Sequence, residues 1–146
     1  MKKSFVSALL ILLQAASFLY IVFFGPLFAT NKLLLFLQFI SILIIMDAFW
    51  EMRRTSFYRV PDVGKQKELV TSGIYKFIRN PMYLAELLFA WVLVVVQYSI
   101  PRLFAFLVLL IVLVLKIYYE ENLLKKNFKS FAAYKKRSWR LIPFIF

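Results

Sequence analysis

Two short polar motifs in this sequence carry residue types that bind ligands in proteins. Residues 79–83 read Arg-Asn-Pro-Met-Tyr where one apolar run begins, and Glu120 and Glu121 stand where the next apolar run stops. A helix N-terminus beside an arginine is typical of an anion site, whereas paired carboxylates bind amine or hydroxyl groups. The purely structural alternative is that Asn80 and Pro81 only start a helix and that the glutamates are only solvated.

The two apolar runs between these motifs predict that the motifs meet. Each run has about 18 residues and would span about 27 Å as a helix. A short turn at residues 98–102 joins them. A chain that goes out and back by equal lengths returns to the same level, so we expect both motifs at one membrane surface.

The composition indicates a membrane protein. The chain has 146 residues and is 63% hydrophobic, whereas soluble domains are about 45–50% apolar. Because a bilayer favours structures that satisfy their own backbone hydrogen bonds, we expect these runs to be helices. The predicted fold is an all-α integral membrane protein with about four transmembrane helices, at residues 5–24, 33–50, 81–97 and 103–119. The first run is interpreted as a retained helix and not as a cleaved signal peptide.

The net charge of +12 is interpreted from the positions of the basic residues along the chain. Of the 19 basic residues, all but Lys32 and Arg102 fall on one side of the predicted topology, which assigns both termini to the cytoplasm. This placement favours membrane lipids as partners over nucleic acid. The predicted organisation is a single membrane domain with a helical hairpin (1–50), a cytoplasmic loop (51–80), a second hairpin (81–119) and a tail (120–146). Basic and aromatic residues at helical spacing predict an amphipathic interfacial helix over residues 122–140.

The chain has no cysteine and no histidine. This excludes disulfides, zinc sites built from those ligands and a histidine base, and no metal site is predicted. Glu86 lies inside the third run, where an ionisable residue is either functional or paired, here with Arg79 or Lys76. Asp47 and Glu51 are expected to pair with neighbouring arginines at positions 53 and 54. Tyrosines at positions 75, 83, 118, 119 and 134 predict either an aromatic belt or a cage for a cation such as a sulfonium.

Four segments in order resemble the isoprenylcysteine carboxyl methyltransferase family, and the related phospholipid methyltransferases share parts of them. The segments are residues 69–75, 79–84, 120–121 and 134–143. The resemblance implies a membrane enzyme that uses S-adenosylmethionine. It implies a cofactor site at Tyr75, Arg79, Asn80, Pro81, Tyr83, Glu120 and Glu121. Arg140 matches a basic position in the tail motif, and the resemblance implies that it holds an anionic substrate group.

The implied function is methyl transfer to a lipophilic acceptor such as an isoprenylcysteine-like carboxylate, with Arg79, Glu86 and Arg140 as candidate catalytic residues. A carboxylate acceptor needs no base, whereas an amine must first lose a proton, for which Glu86 or Glu121 is the candidate base. Replacing Arg79 with alanine is expected to weaken cofactor binding without unfolding the protein. Two alternatives remain open: an NADPH-dependent reductase of the membrane sterol type, and a non-catalytic protein that binds anionic lipid.

Overall fold

The fold in the described part of the chain is helical. The computed structural model describes residues 2–55 and 69–146. These ranges contain five α-helices and one 3-10 helix: α1 Lys2–Phe23, α2 Lys32–Thr55, the 3-10 helix Gly73–Lys76, α3 Pro81–Val96, α4 Ile100–Asn127 and α5 Phe131–Arg137. Within them there is no β-strand, and an isolated parallel bridge joins Ile78 to Trp139. The all-α prediction is therefore confirmed for these ranges.

Among the described residues, three helices are long and apolar enough to cross a membrane, in the segments Phe5–Phe23, Lys32–Arg54 and Ile100–Asn127. Helix α3 is apolar but shorter, with 16 residues, or about 24 Å. Large apolar side chains on α1 and α2 are exposed, among them Phe5, Leu12 and Phe36. So much exposed apolar surface suits lipid contact and not water.

The polar end of α4 differs from the prediction. The apolar run stops near Tyr119, but the helix continues to Asn127. Residues 120–127 contain neither glycine nor proline and several good helix formers, so polarity ends the apolar run without ending the helix. The predicted single helix over residues 122–140 is therefore wrong: that stretch holds the last turns of α4, a break at residues 128–130, and the short helix α5.

The predicted loop at residues 51–80 is described only at its ends. Its first residues belong to α2, and its last residues include the 3-10 helix. Residues 56–68, which include the basic positions Arg59, Lys65 and Lys67, lie outside the described residues.

The chain divides into two compact units. Unit 1 comprises Met1–Ile42 and Glu86–Lys116, and unit 2 comprises Leu43–Ala85 and Ile117–Phe146. The core of unit 1 is aliphatic and includes Ile21, Leu93 and Leu113, none of which has exposed surface.

Arg102 is the most unusual residue of unit 1. The sequence places it in a surface turn, yet it is only 2% exposed. Its guanidinium donates to the carbonyl oxygen of Gln97, at 2.8 Å, and to that of Ile21, at 2.9 Å. These carbonyls lie at the C-terminal ends of α3 and α1, where helices have unsatisfied acceptors and partial negative charge. One buried cation therefore caps two helix ends.

Gly25 makes room for this cation. A Cβ atom at position 25 would collide with the guanidinium carbon and nitrogens of Arg102. We expect Gly25→Ala to reduce the free energy of unfolding by about 1–3 kcal/mol, a usual cost of overpacking. Thermal unfolding in detergent measures this loss. The same substitution in an Arg102→Met background should cost much less because the colliding group is gone. An equal loss in both backgrounds would contradict this packing.

Candidate functional site

The two motifs do meet, within unit 2. Arg79 Nε donates to Glu121 Oε1 at 2.8 Å. The Tyr83 hydroxyl donates to Glu120 Oε1 at 2.6 Å. The prediction that the hairpin brings its basic and acidic motifs together is confirmed. The two glutamates lie inside α4 and not at its C-terminus, because the helix continues to Asn127.

Helical spacing explains why Glu121 is buried. Leu113 and Ile117 have no exposed surface, and Glu121 follows Ile117 by four residues on the same helix face. The side chain of Glu121 is 7% exposed. A carboxylate in such a place must be compensated by cations and hydrogen bonds.

Arg79 provides one of the two compensating cations. Its side chain is 6% exposed. Besides Glu121, its Nη1 donates to the carbonyl oxygens of Lys135 and Ser138 and to the Ser138 hydroxyl. This guanidinium therefore joins α3's N-terminal motif, α4 and the segment after α5.

Arg140 provides the second cation. Its Nε donates to Glu121 Oε2 at 3.0 Å, and its Nη1 donates to the Tyr118 hydroxyl at 3.1 Å. The guanidinium carbon lies 4.6 Å from the Tyr118 ring centre and 5.2 Å from that of Phe146. The face of Tyr118 thus contacts a cation of the protein itself, as cation–π attraction favours. This contact differs from the predicted ligand cage.

Backbone hydrogen bonds hold the Arg-Asn-Pro motif to the tail. Arg79 N donates to Trp139 O at 2.7 Å, and Asn80 N donates to Arg140 O at 3.1 Å. Asn80 Nδ2 donates to the same Arg140 oxygen at 2.9 Å. Helix α3 begins at Pro81, with Leu84 N donating to Asn80 O. Asn80 thus occupies the N-cap position, but its side-chain amide binds the tail carbonyl.

Tyr75 lies in the 3-10 helix and anchors α5. The Tyr134 hydroxyl donates to Tyr75 O at 2.6 Å, and both residues are buried. Burial raises the pKa of the Tyr75 phenol above its ordinary value and raises that of Tyr134 from 10.0 to about 12. Both phenols therefore keep their protons over the physiological pH range.

Two carboxylates of α2 hold the turn that contains Tyr75. Asp47 Oδ2 accepts a hydrogen bond from Ile74 N at 3.1 Å, and Glu51 Oε2 accepts one from the Ser72 hydroxyl at 2.5 Å. Glu51 also reaches Arg54, at 3.9 Å. The predicted pairing with an arginine is thus present for Glu51. The sequence did not predict that Asp47 and Glu51 accept hydrogen bonds from residues 72–74. Gly73, at φ +54°, is needed here because a Cβ would collide with Glu51.

Glu86 belongs to unit 1, whereas the other candidate residues belong to unit 2. Its Oε2 accepts a hydrogen bond from Gln14 Nε2 at 2.7 Å, and Gln14 Oε1 accepts one from Lys116 Nζ at 2.6 Å. The predicted pairing of Glu86 with Arg79 is therefore wrong, because Glu121 takes the salt bridge of Arg79. Sequence reasoning also missed Gln14. The signal that could have found it is that Gln14 is a lone amide within the apolar run of α1.

Tyr134 offers a test of the anchoring hydrogen bond through pH. At pH 8, Tyr134→Phe should reduce the free energy of unfolding by about 1–3 kcal/mol because the buried Tyr75 carbonyl loses its donor. A tyrosine in the unfolded chain ionises near pH 10, whereas folded Tyr134 holds its proton to about pH 12. The wild-type protein therefore loses stability as pH rises through this interval, by about 2–3 kcal/mol.

The phenylalanine variant lacks that loss, so its deficit should shrink between pH 10 and pH 12. Denaturant unfolding in detergent at several pH values measures the difference. A deficit that stays constant across this interval would contradict the hydrogen-bonded, buried phenol.

Comparison with known proteins identifies the family. A family model described as phospholipid methyltransferase matches residues 31–130, more than half of the chain. The match includes both motifs, at residues 79–83 and 120–121, and ends before Arg140. No curated protein and no solved structure matches the chain. The resemblance drawn from the motifs points to the same group of enzymes, and the chain belongs to the phospholipid methyltransferase family.

Proposed function

We propose that this protein is an integral membrane methyltransferase that transfers a methyl group from S-adenosylmethionine to a lipophilic acceptor. The observation that carries the proposal is the meeting of the Arg-Asn-Pro motif with the glutamate pair, through the Arg79–Glu121 and Tyr83–Glu120 contacts. Membership of a methyltransferase family supports the same chemistry.

The donor set of unit 2 fits this cofactor. S-adenosylmethionine carries a carboxylate, an ammonium group, ribose hydroxyls and a sulfonium, and when bound it supplies an activated methyl group. Glu120 and the Tyr83 hydroxyl, 2.6 Å apart, suit amine or hydroxyl groups. The first turn of α3, which follows Arg79 and Asn80 and begins at Pro81, has backbone N–H groups without helical partners, and these suit a carboxylate. Tyr75 and Glu121 complete the proposed set, with Glu121 acting by holding Arg79 and Arg140 in place.

The glutamates have different proposed roles. Both oxygens of Glu121 accept hydrogen bonds from guanidinium groups, so we propose for it a structural role and not that of a base. Glu86 is therefore the better candidate base for an amine acceptor, and a carboxylate acceptor would need none. Arg140 is proposed to orient an anionic acceptor group. The methyl moves by in-line displacement, for which alignment of the reactants supplies much of the rate.

We further propose four membrane crossings, with α3 as the fourth, and cytoplasmic termini. The distribution of Lys and Arg supports this orientation. A 16-residue helix is short for a 30 Å hydrocarbon core, which flanking residues or local thinning accommodate. The acceptor then enters sideways from the bilayer, whereas the cofactor enters from the cytoplasm.

Cofactor titration tests the proposal. Isothermal titration of the purified protein in detergent should detect S-adenosylmethionine and not NADPH. We expect Tyr83→Phe to weaken that affinity about 5- to 10-fold, because one hydrogen bond of the glutamate–tyrosine pair is lost. Glu120→Gln should weaken it more, because the carboxylate charge is lost.

Arg79→Ala is less informative than the sequence suggested, because it also leaves Glu121 buried with one cation fewer, which costs about 3–5 kcal/mol.

Tyr98→Phe is the matched control, because Tyr98 is exposed and lies beyond the other end of α3. It should leave the affinity unchanged. Binding of NADPH in place of S-adenosylmethionine would favour the reductase, and binding of neither would favour a non-catalytic protein. Incubation with the methyl-labelled cofactor and a membrane extract should then place label in the lipid fraction.

A further inference from the structure

A cavity in unit 2 is lined mainly by cationic side chains, together with Ser138, Trp139 and Phe146. Its volume is about 510 Å³, and its lining includes Arg79, Lys135, Lys136, Arg137, Trp139 and Arg140. All of these residues belong to unit 2. No step of the proposed methyl transfer uses the three consecutive basic residues at positions 135–137.

The cavity has an excess of positive charge. Arg79 and Arg140 share the single carboxylate of Glu121. Lys135, Lys136 and Arg137 are exposed, and in the described ranges none of the three forms a salt bridge. Such a surface attracts anions. It does not suit the sulfonium and ammonium groups of S-adenosylmethionine, so we expect Lys135, Lys136 and Arg137 to bind a different ligand.

Apolar side chains of the same segment indicate where the anion comes from. We call residues 139–146 the hook. Trp139, Phe144 and Ile145 of the hook are exposed, with Phe144 at 85% and Ile145 at 78%. The Trp139 and Phe144 ring centres lie 5.3 Å apart. Cationic residues beside exposed aromatic and aliphatic ones are typical of segments that lie in a lipid headgroup region.

The backbone of the hook holds these side chains outward. Phe144 has φ +68°, a left-handed conformation that costs a bulky residue about 1–3 kcal/mol. The hook is closed by hydrogen bonds from Leu141 N and Ile142 N to Phe146 O, at 2.8 and 3.1 Å. The Phe144 ring contacts Trp139 but remains largely exposed in this strained turn. Contact with the acyl region of a lipid would bury it.

We propose that the cavity binds the phosphate of an anionic phospholipid headgroup, with the exposed side chains of the hook lying against the lipid. The phosphate contacts Lys135, Lys136 and Arg137, which are the cations of the cavity that are not joined to Glu121. This lipid is a ligand of the tail, distinct from the methyl acceptor.

The test compares two triple variants of equal charge. One is Lys135→Gln/Lys136→Gln/Arg137→Gln in the cavity. The other is Lys125→Gln/Lys126→Gln/Lys129→Gln, at exposed basic positions outside it. The protein is held in neutral detergent and titrated with short-chain phosphatidylglycerol, with phosphatidylcholine of the same chains and with sodium phosphate. Circular dichroism checks that helix content is kept.

We expect phosphatidylglycerol to bind the wild-type protein more tightly than phosphatidylcholine or phosphate. The cavity variant should lose on the order of 100-fold in this affinity, from about a fivefold loss per basic residue. The control variant should lose less than about threefold, because its charges do not line the cavity and exposed charges are screened by salt. Equal losses in the two variants, or equal binding of phosphatidylcholine, would overturn the proposal. Phosphate binding as tight as that of the lipid would overturn the lipid assignment.

The result is independent of the proposed enzyme activity. The affinity for S-adenosylmethionine is measured separately, without anionic lipid. A protein that binds the lipid but not the cofactor would refute the methyltransferase proposal and leave the lipid site standing.

Discussion

A single buried carboxylate organises the candidate site. Glu121 lies between two guanidinium groups, Arg79 on one oxygen at 2.8 Å and Arg140 on the other at 3.0 Å. Because charges buried in low dielectric are costly unless paired, each of the three groups requires the others. Through them the start of α3, the polar turns of α4 and the tail are held together. The backbone bridge between Ile78 and Trp139, which precede Arg79 and Arg140 in the chain, joins the same two segments.

Two adjacent glutamates therefore have different environments. Glu121 follows the buried face of α4 and serves the structure. Glu120, one residue earlier and about 100° around the helix, accepts a hydrogen bond from Tyr83. The cations that line the cavity differ in a similar way: Arg79 and Arg140 are joined to Glu121, whereas Lys135, Lys136 and Arg137 form no salt bridge in the described ranges. Adjacent residues of like charge thus support two separate proposals, a cofactor site and a lipid site.

The sequence predicted the helices and the meeting of the motifs because long apolar runs and equal segment lengths are strong signals. It predicted the end of α4 poorly, since Glu120 and Glu121 end an apolar run but are good helix formers. It could not predict that Arg102 is buried, because the capping of two helix ends depends on tertiary contacts. Hydrogen bonds likewise join residues far apart in the chain, from residues 72–74 to Asp47 and Glu51 and from Gln14 to Glu86. The assignment of Glu86 to Arg79 failed for this reason.

Cross-linking tests the meeting of the two motifs most directly. The natural sequence has no cysteine, so Tyr83→Cys with Glu120→Cys gives a protein with only two thiols. A short bifunctional maleimide should join them within one chain in native membranes, as the 2.6 Å contact of the replaced side chains predicts. The Tyr83→Cys/Tyr98→Cys pair, whose members lie at opposite ends of α3, should not be joined by the same reagent. If the first pair fails to cross-link, with its two thiols labelled from opposite faces of the membrane, the motifs do not form one site.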